Sequence, residues 1–315
     1  MSVVALSGGV GGAKLALGLS RVLPADELLV VANTGDDFEH LGLCISPDID
    51  TVMYTLAGLA NQEFGWGRQD ETWSFMETLA EVGGETWFRL GDRDLAVHVE
   101  RTRRLRAGES LSAVTADLCR RLGVGPRVLP MSDDPVRTRL QTDQGWIDFQ
   151  DYFVRQRCEP VVHELAFHGA ETARAHPEFL KALSDAGLKA VVICPSNPFI
   201  SIEPILAVPG VREALANCAA PVIAVSPIIG GRAVKGPTAK MMAELGTKPS
   251  ASAVAHRYSE LIDGYVVDFA DMDQVAAIAP KVTLGQTMMT TLADREALAR
   301  TVLGAAGVLA SKKRR

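Results

Sequence analysis

Residues 3–22 read VVALSGGVGGAKLALGLSRV, and residues 28–37 read LLVVANTGDD. The apolar run at 3–6 predicts a buried strand, and the glycine cluster after it predicts a tight turn. Apolar residues at helical spacing over 13–22 predict a helix, and the apolar run at 28–32 predicts a second buried strand. A strand, a glycine turn, a helix and a strand make a βαβ unit, which implies a parallel sheet.

Three later apolar runs, at residues 190–194, 221–225 and 265–267, have the same character. Turn residues or a helical pattern follow each of them. Strands that are buried on both faces of a parallel sheet have this uniformly apolar composition. The predicted fold class is therefore α/β: a Rossmann-like, mostly parallel sheet with helices on both faces.

Between residues 51 and 124 the strand pattern disappears. Four segments there predict amphipathic helices, at 51–60, 71–81, 95–106 and 111–122. We therefore predict an all-helical insertion over 51–124, with an α/β domain formed by 1–50 and 125–315. Alternating residues near 136–154, around Thr142-Asp143-Gln144-Gly145, predict a β-hairpin arm, and 291–310 predict a closing helix.

The composition excludes several classes of protein. The chain has 315 residues, of which 47% are hydrophobic, so it is neither disordered nor fibrous. The 32 basic and 38 acidic residues give a formal net charge of −6, which argues against a general nucleic-acid partner. No apolar run approaches the roughly 18 residues of a membrane span. The five scattered cysteines are typical of a reducing compartment, so we expect a cytoplasmic protein without a zinc site.

The glycine loop after the first strand is the first candidate site. Its backbone N–H groups would lie at a helix N-terminus, where an anion is favoured. The loop is not a Walker A sequence, because Ala13 rather than a glycine precedes Lys14. It is not a clean GxGxxG either, because Lys14 takes the place of the third glycine. A phosphate contact and a tight packing turn both remain open for Gly8, Gly9, Gly11 and Gly12.

Aspartates that follow the second strand are the second candidate site. Carboxylates gathered near phosphate groups suit Mg²⁺, which takes one or two protein oxygens together with the substrate. We select Asp36, Asp37 and Asp50 as candidate metal ligands and leave Asp48 out. Asp50 has a structural alternative, because a helix predicted to open at Thr51 would make it an N-cap. No Ser/His/Asp triad can be assembled, since the six histidines lie outside the glycine-rich loops.

Taken together, the motifs of this chain resemble one family: the 2-phospho-L-lactate transferases of coenzyme F420 biosynthesis (CofD/FbiA). The resemblance covers nearly the whole length. Its short motifs, in order, are SGGVGGAK (7–14), NTGDD (33–37), SPDIDT (46–51), RLGDRD (89–94), MSDDPV (131–136), FQDYFV (149–154), SNP (196–198), SPIIGG (226–231) and KGP (235–237).

The resemblance implies a Mg²⁺-dependent transfer to the deazaflavin Fo. The donor would be a guanosine diphosphate ester of a three-carbon acid, and the ribityl hydroxyl of Fo would attack its distal phosphorus and release GMP. It implies that Asp50 and Arg89 contact Fo. A carboxylate can accept the proton of the ribityl hydroxyl, and Asp50 and Asp37 are both candidates for that role. For the guanine nucleotide, the anion-binding loops and the resemblance together select the four loop glycines with Asn197, Ser226, Gly230, Gly231 and Lys235. A homodimer is expected partly by the same analogy.

Two other functions stay open on the sequence alone: a nucleotide-sugar-binding regulator of the YvcK type and an NAD(P)-dependent oxidoreductase. The broken GxGxxG and the excess of carboxylates argue against the oxidoreductase. The identity of the three-carbon acid, whether lactate, enolpyruvate or glycerate, is also open.

Overall fold

The computed structural model describes residues 2–61, 63, 65–234 and 236–313. Its strands are β1 Val3–Ser7, β2 Leu28–Ala32, β3 Phe38–His40, β4 Leu43–Ile45, β5 Arg127–Pro130, β6 Arg137–Thr142, β7 Gly145–Asp148, β8 Val162–His168, β9 Ala190–Ile193, β10 Val222–Val225, β11 Ile228–Ile229, β12 Arg232–Ala233, β13 Gly264–Asp268 and β14 Lys281–Gly285. Its α-helices are α1 Gly9–Val22, α2 Pro47–Leu56, α3 Ser74–Glu81, α4 Asp92–Arg106, α5 Leu111–Arg121, α6 Pro177–Leu183, α7 Glu203–Ala207, α8 Val211–Ala216, α9 Thr238–Glu244, α10 Ala251–Arg257 and α11 Leu292–Lys313. Short 3₁₀ helices cover Ala25–Glu27 and Phe269–Ala277, and π-helical turns cover Asp151–Arg155 and Pro198–Ile202.

Seven parallel strands form the central sheet, in the order β14-β13-β10-β9-β1-β2-β5. From β1 the chain builds outward to β2 and β5 on one side. It then returns to place β9, β10, β13 and β14 on the other side. The strand order therefore reverses between β1 and β9, and ligands bind beyond the carboxyl ends of the strands at such a switch point.

Both faces of this sheet are buried. Val4 and Leu6 of β1 belong to one apolar core, whereas Val3 and Ala5 belong to a second core on the opposite face. Alternation within one strand between two cores requires cover on both sides, because successive side chains point in opposite directions. The predicted α/β class is confirmed.

The region 51–124 is made of helices and turns in its described residues, with one isolated bridge between Ala60 and Arg68. Val52, Val97 and Val114, on α2, α4 and α5, share the apolar core of α1. The helix α2 begins at Pro47, four residues before its predicted start, since Ser46 stands at the N-cap and proline suits the first helical position. This earlier start changes which way the acidic side chains of the helix point.

Near the predicted arm, β6 and β7 pair as an antiparallel hairpin, and β8 adds to β6 to make a three-stranded sheet. The alternating pattern ends at Asp148, and a π-helical turn follows it. Within the part of the chain that the structure describes, no helix is both long enough and apolar enough to cross a bilayer.

Candidate active site

A cavity of about 570 Å³ lies at the switch point. Its walls come from the loop after β1, the start of α2, the loop after β9 and the loop after β10. The segment from Gly65 to Arg89 and the turn at Phe149 to Val154 complete it. The cavity thus joins the carboxyl edge of the sheet to the helical region.

The glycine loop forms one wall as the N-terminus of α1. The backbone N–H of Gly8 donates to Ser196 Oγ at 3.2 Å, and that of Gly9 donates to the carboxylate of Asp48. The next N–H groups, of Val10 and Gly11, belong to the first turn, where no intrahelical acceptor exists. Both residues line the cavity, so the wall offers backbone donors to an anion.

The same loop is also a packing turn. A Cβ on Gly11 would lie 2.3 Å from the carbonyl oxygen of Pro195, and one on Gly12 would lie 2.4 Å from Ser196 Oγ. Gly8, Gly9 and Gly11 line the cavity, whereas Gly12 packs behind it. Glycine is therefore required here by close approach as well as by any ligand.

Two aspartates face this cavity, Asp36 and Asp48. The side-chain amide of Asn33 lies between them and donates to Asp48 Oδ2 at 2.9 Å and to Asp36 Oδ1 at 3.3 Å. Burial raises the pKa of Asp48 to about 6. Burial, and then the neighbouring charges of Asp48 and Asp37, raise the pKa of Asp36 well above its usual value.

Asp37 is buried beside this pair and does not line the cavity. Ser46 Oγ donates to its Oδ2 at 2.9 Å, while its buried Oδ1 has no hydrogen-bond partner among the described residues. Burial raises the pKa of Asp37 to about 7, and the charge of Arg137 opposes the shift. Asp36 faces the cavity beside the charges of Asp48 and Asp37, so a divalent cation held by Asp36 and a substrate's oxygens would relieve the repulsion that raises its pKa.

Asp50 does not line the cavity. Since α2 begins at Pro47, Asp50 is inside the first turn of the helix, so the N-cap alternative is wrong. Its carboxylate is buried and forms a two-point ion pair with Arg101, in which Arg101 Nη1 donates to Asp50 Oδ2 at 3.0 Å and Nη2 donates to Oδ1. Burial raises the pKa of Asp50, and the charges of Arg101 and then His98 oppose this. In this structure the carboxylate is thus paired with a cation that the protein itself provides. An oxygen of Asp50, an oxygen of Asp94 and a ring nitrogen of His98 also lie within 4.8 Å of one another, close enough to share a metal ion.

Arg89 lines the cavity beside an aromatic wall. Its guanidinium lies 4.1 Å from the ring centroid of Trp73, within the range of a cation–π contact. The aromatic side chains that line the cavity are Trp66, Trp87, Phe88, Phe149 and Phe153. A planar, partly polar ligand suits such a wall.

The remaining predicted residues lie around the loops after β9 and β10. Asn197 and Ser226 line the cavity, and each also shapes its own loop, since Asn197 Oδ1 accepts from the Phe199 N–H at 2.9 Å and Ser226 Oγ accepts from the Ile228 N–H at 3.2 Å. Gly230 and Gly231 form the positive-φ turn between β11 and β12 and do not line the cavity. Lys235 lies outside the described residues.

Comparison with known proteins now identifies the family. The chain matches the model of the 2-phospho-L-lactate transferase CofD family over residues 3–303. The chain belongs to this family. Its relatives include a phosphoenolpyruvate transferase of Kitasatospora aureofaciens, 46% identical over 316 residues that cover 97% of this chain and 98% of that protein. Another, from Mycolicibacterium smegmatis, is 40% identical over 329 residues that cover 98% and 99%.

The fold of this CofD-family chain has a counterpart among solved structures. A crystal structure of a UPF0052-family protein from Bacillus halodurans superposes with a TM-score of 0.65 and 13% identity, covering 96% of this chain and 98% of that one. At this identity the likeness concerns the fold alone. The resemblance predicted from the motifs is confirmed, and the chain is a member of a transferase family.

Several cavity residues of this CofD-family chain were not selected from its sequence, and Asp48, Lys14 and Ser201 are among them. Lys14 Nζ donates to the carbonyl oxygen of Met289 at 3.0 Å, and Ser201 packs against Gly8. For Asp48 a signal existed: residues two apart on a helix point roughly 200° apart, so Asp48 and Asp50 cannot both face one cavity once α2 starts at Pro47.

The raised pKa values of this site predict a pH-dependent stability. Because the folded pKa of Asp37 is about 7, the folded protein binds more protons than the unfolded chain between about pH 4 and that value. The free energy of unfolding should therefore fall as pH rises through this window. In EDTA, we expect Tm to be several degrees lower at about pH 8 than at about pH 5.5.

Mg²⁺ should raise Tm more at the higher pH, because it binds ionised carboxylates. The variant Asp37→Asn is the control and should flatten the slope in EDTA. A Tm in EDTA that is equal at both pH values for the wild-type protein would contradict the arrangement of charges described above.

Proposed function

We propose that this protein transfers a phosphoenolpyruvyl group from a guanosine diphosphate ester to the ribityl hydroxyl of the deazaflavin Fo, in the biosynthesis of coenzyme F420. The hydroxyl oxygen forms a bond to the distal phosphorus, the bond from that phosphorus to the bridging oxygen breaks, and GMP leaves with the bond's electron pair. One observation carries the proposal: backbone donors for an anion, carboxylates for a cation and an aromatic wall meet in a single cavity of about 570 Å³.

The choice of enolpyruvate rests on the relatives, several of which are named phosphoenolpyruvate transferases. The family model is named for phospholactate instead. Lactyl and enolpyruvyl groups differ by little in size, so contacts in the cavity must discriminate between them. We propose the enolpyruvyl donor for this chain.

The donor diphosphate would lie on the first turn of α1. Val10 and Gly11 line the cavity and their N–H groups lie in the first turn of α1, while Lys14 lines the same wall with a positive charge. Asp36 would hold Mg²⁺ there together with the phosphate oxygens, and the ion would neutralise charge on them. The transfer needs alignment and charge neutralisation more than a strong acid, because GMP is a good leaving group.

The acceptor would stack its planar ring on the aromatic wall near Arg89. Its hydroxyl then needs a proton acceptor, for which Asp48 is suited by two properties: it faces the cavity, and burial brings its pKa to about 6. Asp37 has a suitable pKa but lies behind the cavity wall. We therefore propose Asp48 as the base, whereas the sequence selected Asp50 or Asp37. The contact of Asp50 with Fo, the homodimer and the cytoplasmic location stay predictions.

The proposal is tested by the mass of the product. Purified protein with Mg²⁺ and Fo is supplied in turn with the enolpyruvyl, lactyl and glyceryl esters of guanosine diphosphate. We expect a phosphodiester of Fo to form with release of one GMP for each Fo consumed, fastest with the enolpyruvyl donor, and to stop in excess EDTA. Binding of a UDP-sugar with no product from any donor would favour the regulatory function instead.

A further inference from the structure

A buried polar network lies beneath the cavity, between α2 and α4. On α2 it contains Asp50 and Tyr54, which are four residues apart. On α4 it contains Asp94, His98 and Arg101, whose spacing of four and three residues places them on one face. All five side chains are buried, and Arg101 is fully so, with 0% of its surface exposed.

The members contact one another in series. The Tyr54 hydroxyl donates to Asp94 Oδ1 at 2.6 Å, and His98 Nε2 lies 3.3 Å from the same oxygen. The other ring nitrogen of His98, Nδ1, lies 3.2 Å from Arg101 Nη1 and 3.6 Å from Asp50 Oδ2. Arg101 completes the network by its two-point pair with Asp50.

One helix of this network, α2, carries part of the cavity wall, and the other, α4, begins shortly after a wall residue. Asp48 and Thr51 flank Asp50 in the first turn of α2, and both line the cavity. Arg89, which also lines it, stands three residues before the start of α4. The network therefore connects the start of α2, which carries Asp48 and Thr51, to the start of α4, which follows Arg89 in the chain.

Stability alone does not explain this arrangement well. Each ion placed in a core carries a large desolvation penalty, and well-packed apolar residues of similar volume often stabilise a core as well or better. A planar guanidinium, however, fixes a carboxylate in position and orientation, since two parallel donors meet its two oxygens.

We propose that Arg101 is a positioning residue for the transfer, holding the Asp50 carboxylate and with it the first turn of α2 in register with the acceptor. This inference rests on the proposed function. Arg101 does not line the cavity and acts through Asp50. Lysine at this position would keep the charge near Asp50 and lose the planar two-point contact.

The test is a double-mutant cycle of Arg101→Lys and Asp50→Asn. For each variant we measure kcat/KM for Fo and KM for the donor. All assays are run at a temperature below the lowest Tm among the variants. The rates are divided by the concentration of intact donor-binding sites, which is measured by titration with GDP. We expect Arg101→Lys to lower kcat/KM for Fo by about 10-fold or more while KM for the donor stays within about 3-fold. In the Asp50→Asn background, Arg101→Lys should have no further effect, because it acts through Asp50.

The matched control is Arg104→Lys on the same helix, whose partners Glu109 and Asp117 lie outside the network. It should leave both parameters at wild-type values. The inference would be overturned if the losses in kcat/KM of the two single variants multiplied in the double variant. It would also be overturned if Arg101→Lys had the wild-type kcat/KM for Fo. In either case the Asp50–Arg101 pair would have a structural role only. If the wild-type protein made no product, the proposed function would be overturned instead. The role of Arg101 would then be decided by measuring the Kd for Fo of the same four proteins.

Discussion

Asp48→Asn should lower kcat by about 10²–10³ in the transfer to Fo, in line with the loss of a positioned base or electrostatic group. Asparagine keeps the shape of the side chain, and its carbonyl oxygen can still accept from the Gly9 N–H. It removes the charge that faces the cavity. Because the buried carboxylate of Asp48 lies near Asp36, neutralising it relieves repulsion, and Tm should change by only a few degrees.

The measurement is the initial rate of GMP release with saturating Fo and donor, together with thermal melting. Asp26→Asn is the control, since Asp26 is exposed in the 3₁₀ helix before β2, at the opposite edge of the sheet. Asp26→Asn should turn over like the wild-type protein. Turnover of Asp48→Asn within about 3-fold of wild type would exclude Asp48 as the base.

The second large effect concerns stability. Asp50→Asn and Arg101→Met should each lower the free energy of unfolding by about 3–5 kcal/mol, because each leaves its partner as an unpaired buried charge. The double variant Asp50→Asn/Arg101→Met removes both charges and should recover most of that loss. If Asp50 were only an N-cap, Asp50→Asn would change the free energy of unfolding little, because asparagine also caps helices well.

Urea unfolding of the two single variants and the double variant measures this directly. Arg121→Met is the control, since Arg121 pairs with Asp117 but its side chain is 66% exposed. Its loss should cost less than about 1 kcal/mol. Losses that simply add in the double variant would show that the Asp50–Arg101 pair is not the coupled, buried unit described here.

The five inner strands β1, β2, β9, β10 and β13 could be predicted because they are continuous apolar runs. The two edge strands could not. In β5, Arg127 and Pro130 interrupt the pattern, and β14 begins at the exposed Lys281. An edge strand has one neighbour and tolerates polar residues and proline, so its sequence carries a weaker signal.

Part of the candidate site could also be predicted from the sequence, because it follows from the parallel sheet. The switch point of a parallel sheet brings loop residues together, and the sequence correctly gathered the glycine loop, Asp36 and Asn197 at one edge. The choice between Asp48 and Asp50 depended on where α2 begins, and helix boundaries are the least certain feature of a sequence pattern. The partner of Asp50 lies 51 residues further along the chain, on another helix, and no local pattern indicates it.

We propose that one cavity at the switch point binds both substrates, with the metal between them. A crystal structure of the complex with GDP, Fo and Mn²⁺ in place of Mg²⁺ tests it most directly. We expect phosphate oxygens at the N–H groups of Val10 and Gly11, an anomalous Mn²⁺ peak at Asp36, and the Fo ring on the aromatic wall beside Arg89. A guanine nucleotide bound away from α1, or a metal peak at Asp50, Asp94 and His98, would contradict it.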